Sequence, residues 1–431
     1  MSITSATKVL YLLEANISGF TSRWILGSSV MGVGTILSDG PAPAVPLGSV
    51  TGLISGSIQR GRTDEFTPMA AGSMTILVDN AAGDFSPDNP SSIYYPNVVP
   101  NRQIRVSARY NPAAAWTPLF FGYVESYTPI ANGSEDGDVR IVASDWLARA
   151  NGAKVTTTFS REGDNTRVLN AIAVVGGDGL PGAYLGDINN QETVLPISYK
   201  DASGLTPIND VTQSTLGTFY QKADGTLTYR TRNGRWTYPG IFSANWFFDQ
   251  PGINLDPRVI PYKDGSIGYS LDVRTIKTEM SVTASGVAGE AVATASDATA
   301  VTRYGRLTRQ ITAPVLAERC AGCMADALLD ASKDAVARVT SIAIDCNASP
   351  TTNPWIDALL ALDLGDTVAV YQRKPSNLNI ARAMFIEGIK HDFDPFGNHT
   401  MTLQLSDQRL AGLRPWVIGQ ATLSNNTTLA Y

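Results

Sequence analysis

PNRQIRV (Pro100–Val106), LFFGYVES (Leu119–Ser126) and DVRIVASD (Asp138–Asp145) are three short runs near one end of the chain. LGDTVAV (Leu364–Val370), AMFIEGIKH (Ala383–His391) and HTMTLQLSD (His399–Asp407) are three more near the other. Each set holds segments in which apolar residues alternate with polar ones. Ile104, Val106 and Ala108 point one way, while Gln103, Arg105, Ser107 and Arg109 point the other. Val139, Ile141 and Ala143 repeat the pattern, as do Met401, Leu403 and Leu405. A period of two marks strands with one buried face. The two sets also correspond in order. Ile104 matches Val368, Gly122 matches Gly388, and Ser144-Asp145 matches Ser406-Asp407, at spacings of 264, 266 and 262 positions. The reading is therefore a mainly β chain with an α+β insertion. Two related β-barrel-like domains flank a middle region.

Working outward, further alternation falls at Met74, Ile76 and Val78 and at Ile342, Ile344 and Cys346. Clusters of Gly, Pro, Asn and Asp separate the strands, as turn chemistry requires. Asp224-Gly225 between two strand-like runs predicts a hairpin. Helices are few. They are expected at Asp145–Ala150, at Thr166–Val175 and at Pro314–Val336. The apolar stripe of the last is read as Leu316, Cys320, Cys323, Ala327 and Ala331.

The 431 residues carry 33 basic and 39 acidic side chains, a net charge of −6, and only 17% are charged against 43% hydrophobic. A soluble chain usually has roughly 25% charged residues. Such a chain can build a large core but has few charges to cover its surface. Cover by neighbours in an assembly is one reading, and a neutral Ser/Thr-rich surface is the other. No run approaches the roughly 18 apolar residues of a membrane span, and the N-terminus does not read as a secretory signal. Three cysteines make no disulfide framework, and two histidines make no multi-His metal site. The acidic balance disfavours a sequence-reading nucleic-acid binder.

Candidate chemistry is sparse. Cys320 and Cys323 have C-x-x-C spacing, but they lie on the expected apolar stripe without partners for zinc. They read as small buried hydrophobes. His391 and His399 flank the turn Asp394–Asn398, so a hairpin could bring them together, but they read as strand-end residues. The Asp79–Asn89 segment resembles a loose calcium loop and lacks the terminal Glu of an EF-hand. It reads as a turn built by Asn, Gly and Pro. No phosphate loop or G-x-S-x-G is present. No enzyme activity and no cofactor are expected.

One stretch is more specific. It runs from Gly61 through RTDEF, then a strand ending Asp79-Asn80, then Gly83-x-Phe85-x-Pro87-x-Asn89, then Tyr94-Tyr95-Pro96-Asn97, and ends in Gly122-Tyr-Val124. This run resembles the N-terminal module of siphophage minor tail proteins, the tail hub family, which is similar to the baseplate hubs of contractile-tailed phages. Arg62, Asp64, Phe66, Asp79, Asn80, Gly83, Phe85, Pro87, Asn89, Tyr95, Pro96 and Gly122 carry the resemblance. Gly365, Asp366 and Gly388 carry a weaker match at the C-terminal end. The first ~50 residues and the segment after Ala411 fit less well.

The resemblance implies a hub-like fold with an N-terminal β-barrel tail module at 1–150 and a middle α+β region at 151–335. A C-terminal β-barrel-like domain at 336–411 and an arm at 412–431 complete it. It also implies a structural virion protein at the distal end of a phage tail. There a homotrimer would adapt the hexameric tube or distal tail ring to the tip and line the DNA exit channel. A hexameric distal tail protein is the alternative, and a tail-associated wall-binding or wall-hydrolysing protein a second. The implied partners are further copies of the chain, the distal tail protein ring, the tip or fibre and the tape-measure protein. Phage DNA would pass without sequence-specific binding, and no stable membrane association is expected.

Overall fold

The computed structural model describes residues 9–15, 48–50, 52–63, 67–132, 135–176, 185–186, 192–231, 246–251, 259–285, 291–316, 318–346, 355–373, 380–407, 414–415 and 427–428. Asp64 and Phe66 lie outside the described residues, as does most of the 412–431 arm.

The architecture is mainly β, with a few helices. Its largest element is a branched sheet of fourteen strands. In chain order these are β1 (Leu10–Ala15), β2 (Gly48–Val50), β3 (Leu53–Gly61), β4 (Ala70–Asp79), β5 (Gln103–Arg109), β6 (Thr117–Asn132) and β7 (Glu135–Ser144). They continue as β8 (Trp246–Asp249), β9 (Val259–Pro261), β10 (Gly268–Ser270), β11 (Arg338–Asp345), β12 (Thr367–Gln372), β13 (Ile380–Phe393) and β14 (His399–Asp407). The alternating side chains named from sequence fall as expected. Met74, Ile76, Val78, Val139, Ile141 and Ala143 are all buried, and so are Ile342, Ile344, Met401, Leu403 and Leu405. Residues from both ends of the chain share one hydrophobic core.

Pairing exposes the repeat. In the first half the spatial order is β3-β4-β7-β6-β5-β1, and in the second it is β10-β11-β14-β13-β12-β8. Their registers also correspond. Tyr123 pairs with Ser144, and the ladder then slips by one between Val124 and Ser126. Phe385 pairs with Ser406, and the ladder slips between Ile386 and Gly388. Both bulges place a glutamate at the extra position, Glu125 in β6 and Glu387 in β13, 262 positions apart. The register corrects one sequence match. Gly122 faces Ile104 and Met384 faces Val368, so Met384 occupies the place of Gly122. Gly388 occupies the place of Ser126. The two glycines match as letters, but ladder position decides the equivalence.

Neither half closes into a barrel among the described residues. Instead the halves join edge to edge. The C-terminal part of β13 pairs with β3, from Gly388 opposite Gly61 to Phe393 opposite Gly56. The symmetry is not complete. β1 lies antiparallel to β5, whereas β8 lies parallel to β12.

The helices are α1 (Trp146–Gly152), α2 (Asp164–Val175), α3 (Thr206–Thr215), α4 (Ala298–Tyr304), α5 (Glu318–Ser332) and α6 (Trp355–Leu360), of which α1 and α6 pack against this sheet. Asp145 caps α1, its carboxylate accepting from the Leu147 N–H at 2.9 Å. α1, α2 and α3 share a second core with the Thr218–Gln221/Leu227–Arg230 hairpin. That hairpin is the one signalled by Asp224-Gly225, with Gly225 at a φ of 96°. α5 covers a small sheet, Glu279–Ala284 with Ala291–Ser296 and Thr308–Thr312, in a third core. Its buried stripe is Ala321, Met324, Ala325, Leu328 and Leu329, at i, i+3, i+4, i+7 and i+8. Cys323 is exposed, which corrects the reading of it as a buried residue. At 3.6 residues per turn it sits across the helix from that stripe.

Candidate assembly interface

β13 is fourteen residues long, and its two ends do different work. Its N-terminal part pairs with β12 within its own half, and its C-terminal part pairs with β3 of the other half. The bulge at Glu387 lies between them. There the two chain segments come too close for side chains. A Cβ on Gly61, whose φ is +89°, would lie 2.2 Å from the Glu387 carbonyl oxygen. One on Gly388 would lie 2.6 Å from that of Arg62. Glycine at both positions permits the approach.

The approach is fixed by charge. Arg62 donates its backbone N–H to the Glu387 carbonyl at 2.8 Å and its Nε to the Glu387 carboxylate at 2.7 Å. The Ser406 hydroxyl donates to the other carboxylate oxygen at 2.5 Å. Arg62 also donates to the Thr67 carbonyl at 2.7 Å. The Glu387 side chain is fully buried and that of Arg62 is 7% exposed. A buried ion pair is costly to desolvate, so it adds little net stability but penalises any arrangement that separates its members. It therefore works as a register key.

A second pair ties in the middle region. Arg60 donates to Asp363 at 2.6 Å, and Asp363 also accepts from the Ala223 N–H at 3.2 Å in the Asp224-Gly225 hairpin. Asp145 accepts from the Gly72 N–H at 2.7 Å. Burial raises its carboxyl to about 7, against the opposing pull of those backbone donors and of Arg60. Asp366, beside Asp363, is likewise raised by burial to about 6. Its carboxylate accepts from the Asp363 N–H at 2.8 Å.

The two histidines meet at this junction. His391 Nδ1 and His399 Nε2 are 3.0 Å apart, and both rings are buried. His399 opens β14 and His391 lies two residues from the end of β13, so they are strand-end residues, as read from sequence, but the turn brings them together as a buried inter-strand pair. Tyr11 stacks on Phe393 at 4.5 Å between centroids and faces His399 at 5.8 Å. Burial holds both imidazoles below their ordinary value, His399 at about 4. His399 and Arg60 further disfavour charge on His391, while Asp392 opposes the effect of burial on His399, and the pair is neutral near pH 7. Among the described residues no group of three His, Cys, Asp or Glu side chains could hold a metal ion.

The other sequence candidates build a loop. The Asn80 side chain accepts from the Phe85 N–H at 2.7 Å and donates to Ser86 at 3.1 Å. Asp79 accepts from the Ala81 N–H at 2.9 Å, and Asn89 donates to the Gly83 carbonyl at 3.0 Å. Phe85 is buried against Tyr94. Pro87 belongs to the same loop, and a cis bond joins Tyr95 to Pro96. Gly122 lies beside the end of β7, where a Cβ would meet the Ser144 carbonyl at 2.4 Å. Gly365 donates its N–H to the Ile386 carbonyl at 2.8 Å, beside the bulge. So Arg62, Gly365 and Gly388 reach the junction, while the 79–97 motif residues stand apart from it. Sequence reading named Ser406 only as a match within the repeat, and it missed Arg60, Asp363 and Glu387. The signal for Glu387 was present, because Val-Glu-Ser and Ile-Glu-Gly fall at one spacing in the two sets.

The overall fold recurs in solved structures. The tail protein from Neisseria meningitidis MC58 superposes with a TM-score of 0.60 at 10% identity, covering 93% of this chain and 97% of that one. The chain has the fold of a phage tail protein. The 43 kDa tail protein of prophage MuSo2 from Shewanella oneidensis superposes at 0.57 with 13% identity, covering 94% of this chain and 99% of that one. No protein-family model and no curated protein matches the sequence.

Proposed function

We propose that this chain is the structural hub of a phage tail, and that three copies close into a ring of six similar β units. The carrying observation is the duplication, with the same strand order, the same bulge and the same glutamate in each half. A tail tube of sixfold symmetry must meet a tip of threefold symmetry. Three chains with two similar units each offer six related surfaces to one side and three to the other. Closed rings need complementary surfaces on successive units. On this reading the ring sits at the distal end of the virion tail, between the distal tail ring and the tip or fibre. The tape-measure protein and then DNA pass through its channel. A net charge of −6 suits a wall that does not bind phosphate.

The division into 1–150, 151–335, 336–411 and 412–431 is part of the proposal, with β8, β9 and β10 lent from the middle stretch to the C-terminal half. The role is structural, without an enzymatic step. The test is the mass of the purified full-length chain together with its copy number in the virion. Three copies per tail support the hub. Six copies would favour the hexameric distal tail ring, and lysis of host cell wall by the purified chain would overturn the structural reading.

A further inference from the structure

The two halves differ in one respect that the duplication makes conspicuous. The outer edge of β13 from Gly388 to Phe393 is covered by β3. The corresponding edge of β6, Ser126 to Ala131, has no strand on it among the described residues. The strand that corresponds to β3 can be found by register. Ser57 pairs with Thr75, which pairs with Val142. Gly268 pairs with Ser341, which pairs with Gln404, 262 positions beyond Val142. So β10 is the second half's β3. It pairs with β11 alone among the described residues. Along it and just past it, Tyr269, Leu271 and Val273 are 37%, 63% and 59% exposed, at every second position.

We propose that the β10 edge of one copy adds to the β6 edge of the next, repeating between chains the β3·β13 junction made within each chain. The proposal rests on the ring reading and names the contact that closes it. The occupant is a second copy of this chain because the template for the contact lies inside the chain itself. The register follows from the internal junction. Lys390 faces Gln59 there, so Thr128 faces Tyr269 between copies.

The charge arrangement repeats as well. Glu387 is buried under Arg62, whereas its counterpart Glu125 is exposed and has no partner among the described residues. Asp272 takes the place of Arg62 and holds Arg274, which is 88% exposed. Docking brings that guanidinium to Glu125. Pro129 takes the place of His391, so the ladder between copies has one donor fewer. A proline on a strand edge also discourages indiscriminate pairing.

The test uses the full chain in a Cys323→Ser background carrying Thr128→Cys and Tyr269→Cys. Facing residues of a non-hydrogen-bonded antiparallel pair lie about 4.5 Å apart at Cα, within disulfide range. Oxidation is expected to give covalent trimers at three times the chain mass of 45.9 kDa. Glu125→Arg is expected to abolish the wild-type trimer, and Glu125→Arg with Arg274→Glu to restore it. A trimeric wild type that neither cross-links nor responds to Glu125→Arg overturns this contact and leaves the ring reading standing. A wild-type chain that remains monomeric at every concentration overturns both.

Discussion

The β6 bulge and the β13 bulge have the same backbone register and the same acid, yet one glutamate is exposed and the other fully buried. The difference comes from what lies across the edge. β13 has a neighbouring strand that brings Arg62, and β6 has none among the described residues. An identical local sequence feature is thus solvated in one half and a register key in the other. Burial of a paired charge is a property of the junction, not of the strand that carries it.

The comparison breaks most visibly through Glu387. Glu387→Ala leaves Arg62 buried without its partner and is expected to cost about 4 kcal/mol. Glu125→Ala in the unassembled chain should stay within about 0.5 kcal/mol. Urea titration of the two variants measures the contrast, and equal costs would show that the bulges are not distinguished by their edges.

Gly61→Ala comes next, at about 3 kcal/mol, because it adds both a positive-φ strain and a clash with the Glu387 carbonyl. Ser126→Ala, at the counterpart of Gly388, should be nearly neutral by the same titration.

The histidine pair gives a pH signature that only the second half carries. Both imidazoles are held low by burial, so between 6.5 and about 4 the unfolded chain binds protons that the native chain refuses. Stability therefore falls as pH falls through that window. The raised carboxyls of Asp145 and Asp366 act in the opposite sense, since the native state holds their protons above the ordinary carboxylate value. His399→Phe should remove up to about 1.4 kcal/mol per pH unit of the acid-side slope. Denaturation midpoints at pH 5 and pH 7 measure it, and an unchanged slope would show that His399 is not held neutral.

The smallest effect is expected at Cys323→Ala, within about 0.5 kcal/mol, because the thiol lies on the solvent face of α5. A loss comparable to a core cavity would return Cys323 to the buried stripe.

Much of this was legible in the residues. Period-two alternation located the strands that carry the core, and the two matched sets of runs located the duplication. The 79–97 loop was readable as turn chemistry because its Asn and Asp side chains act on backbone within a few residues. The junction was not readable in the same way. Arg62 and Glu387 are separated by 325 positions, and Arg60 and Asp363 by 303. No local pattern links them. Gly122 and Gly388 misled as a pair, because identity of letters does not count bulge residues. Cys323 misled because a helix with many small residues offers more than one plausible stripe, and only the neighbouring sheet selects among them.

By itself, then, the sequence determined the strands of the two sets, their turns, three of the six described helices and the existence of two similar sets, since alternation, turn residues and helical periodicity act over a few residues. Tertiary structure alone decided that the halves share one sheet, which glutamate is buried, that the histidines touch and which edges are covered. Those outcomes depend on which distant strand occupies an edge. Hydrogen-bonding edges are chemically alike along any strand, so the occupant is chosen by packing and charge across the whole chain.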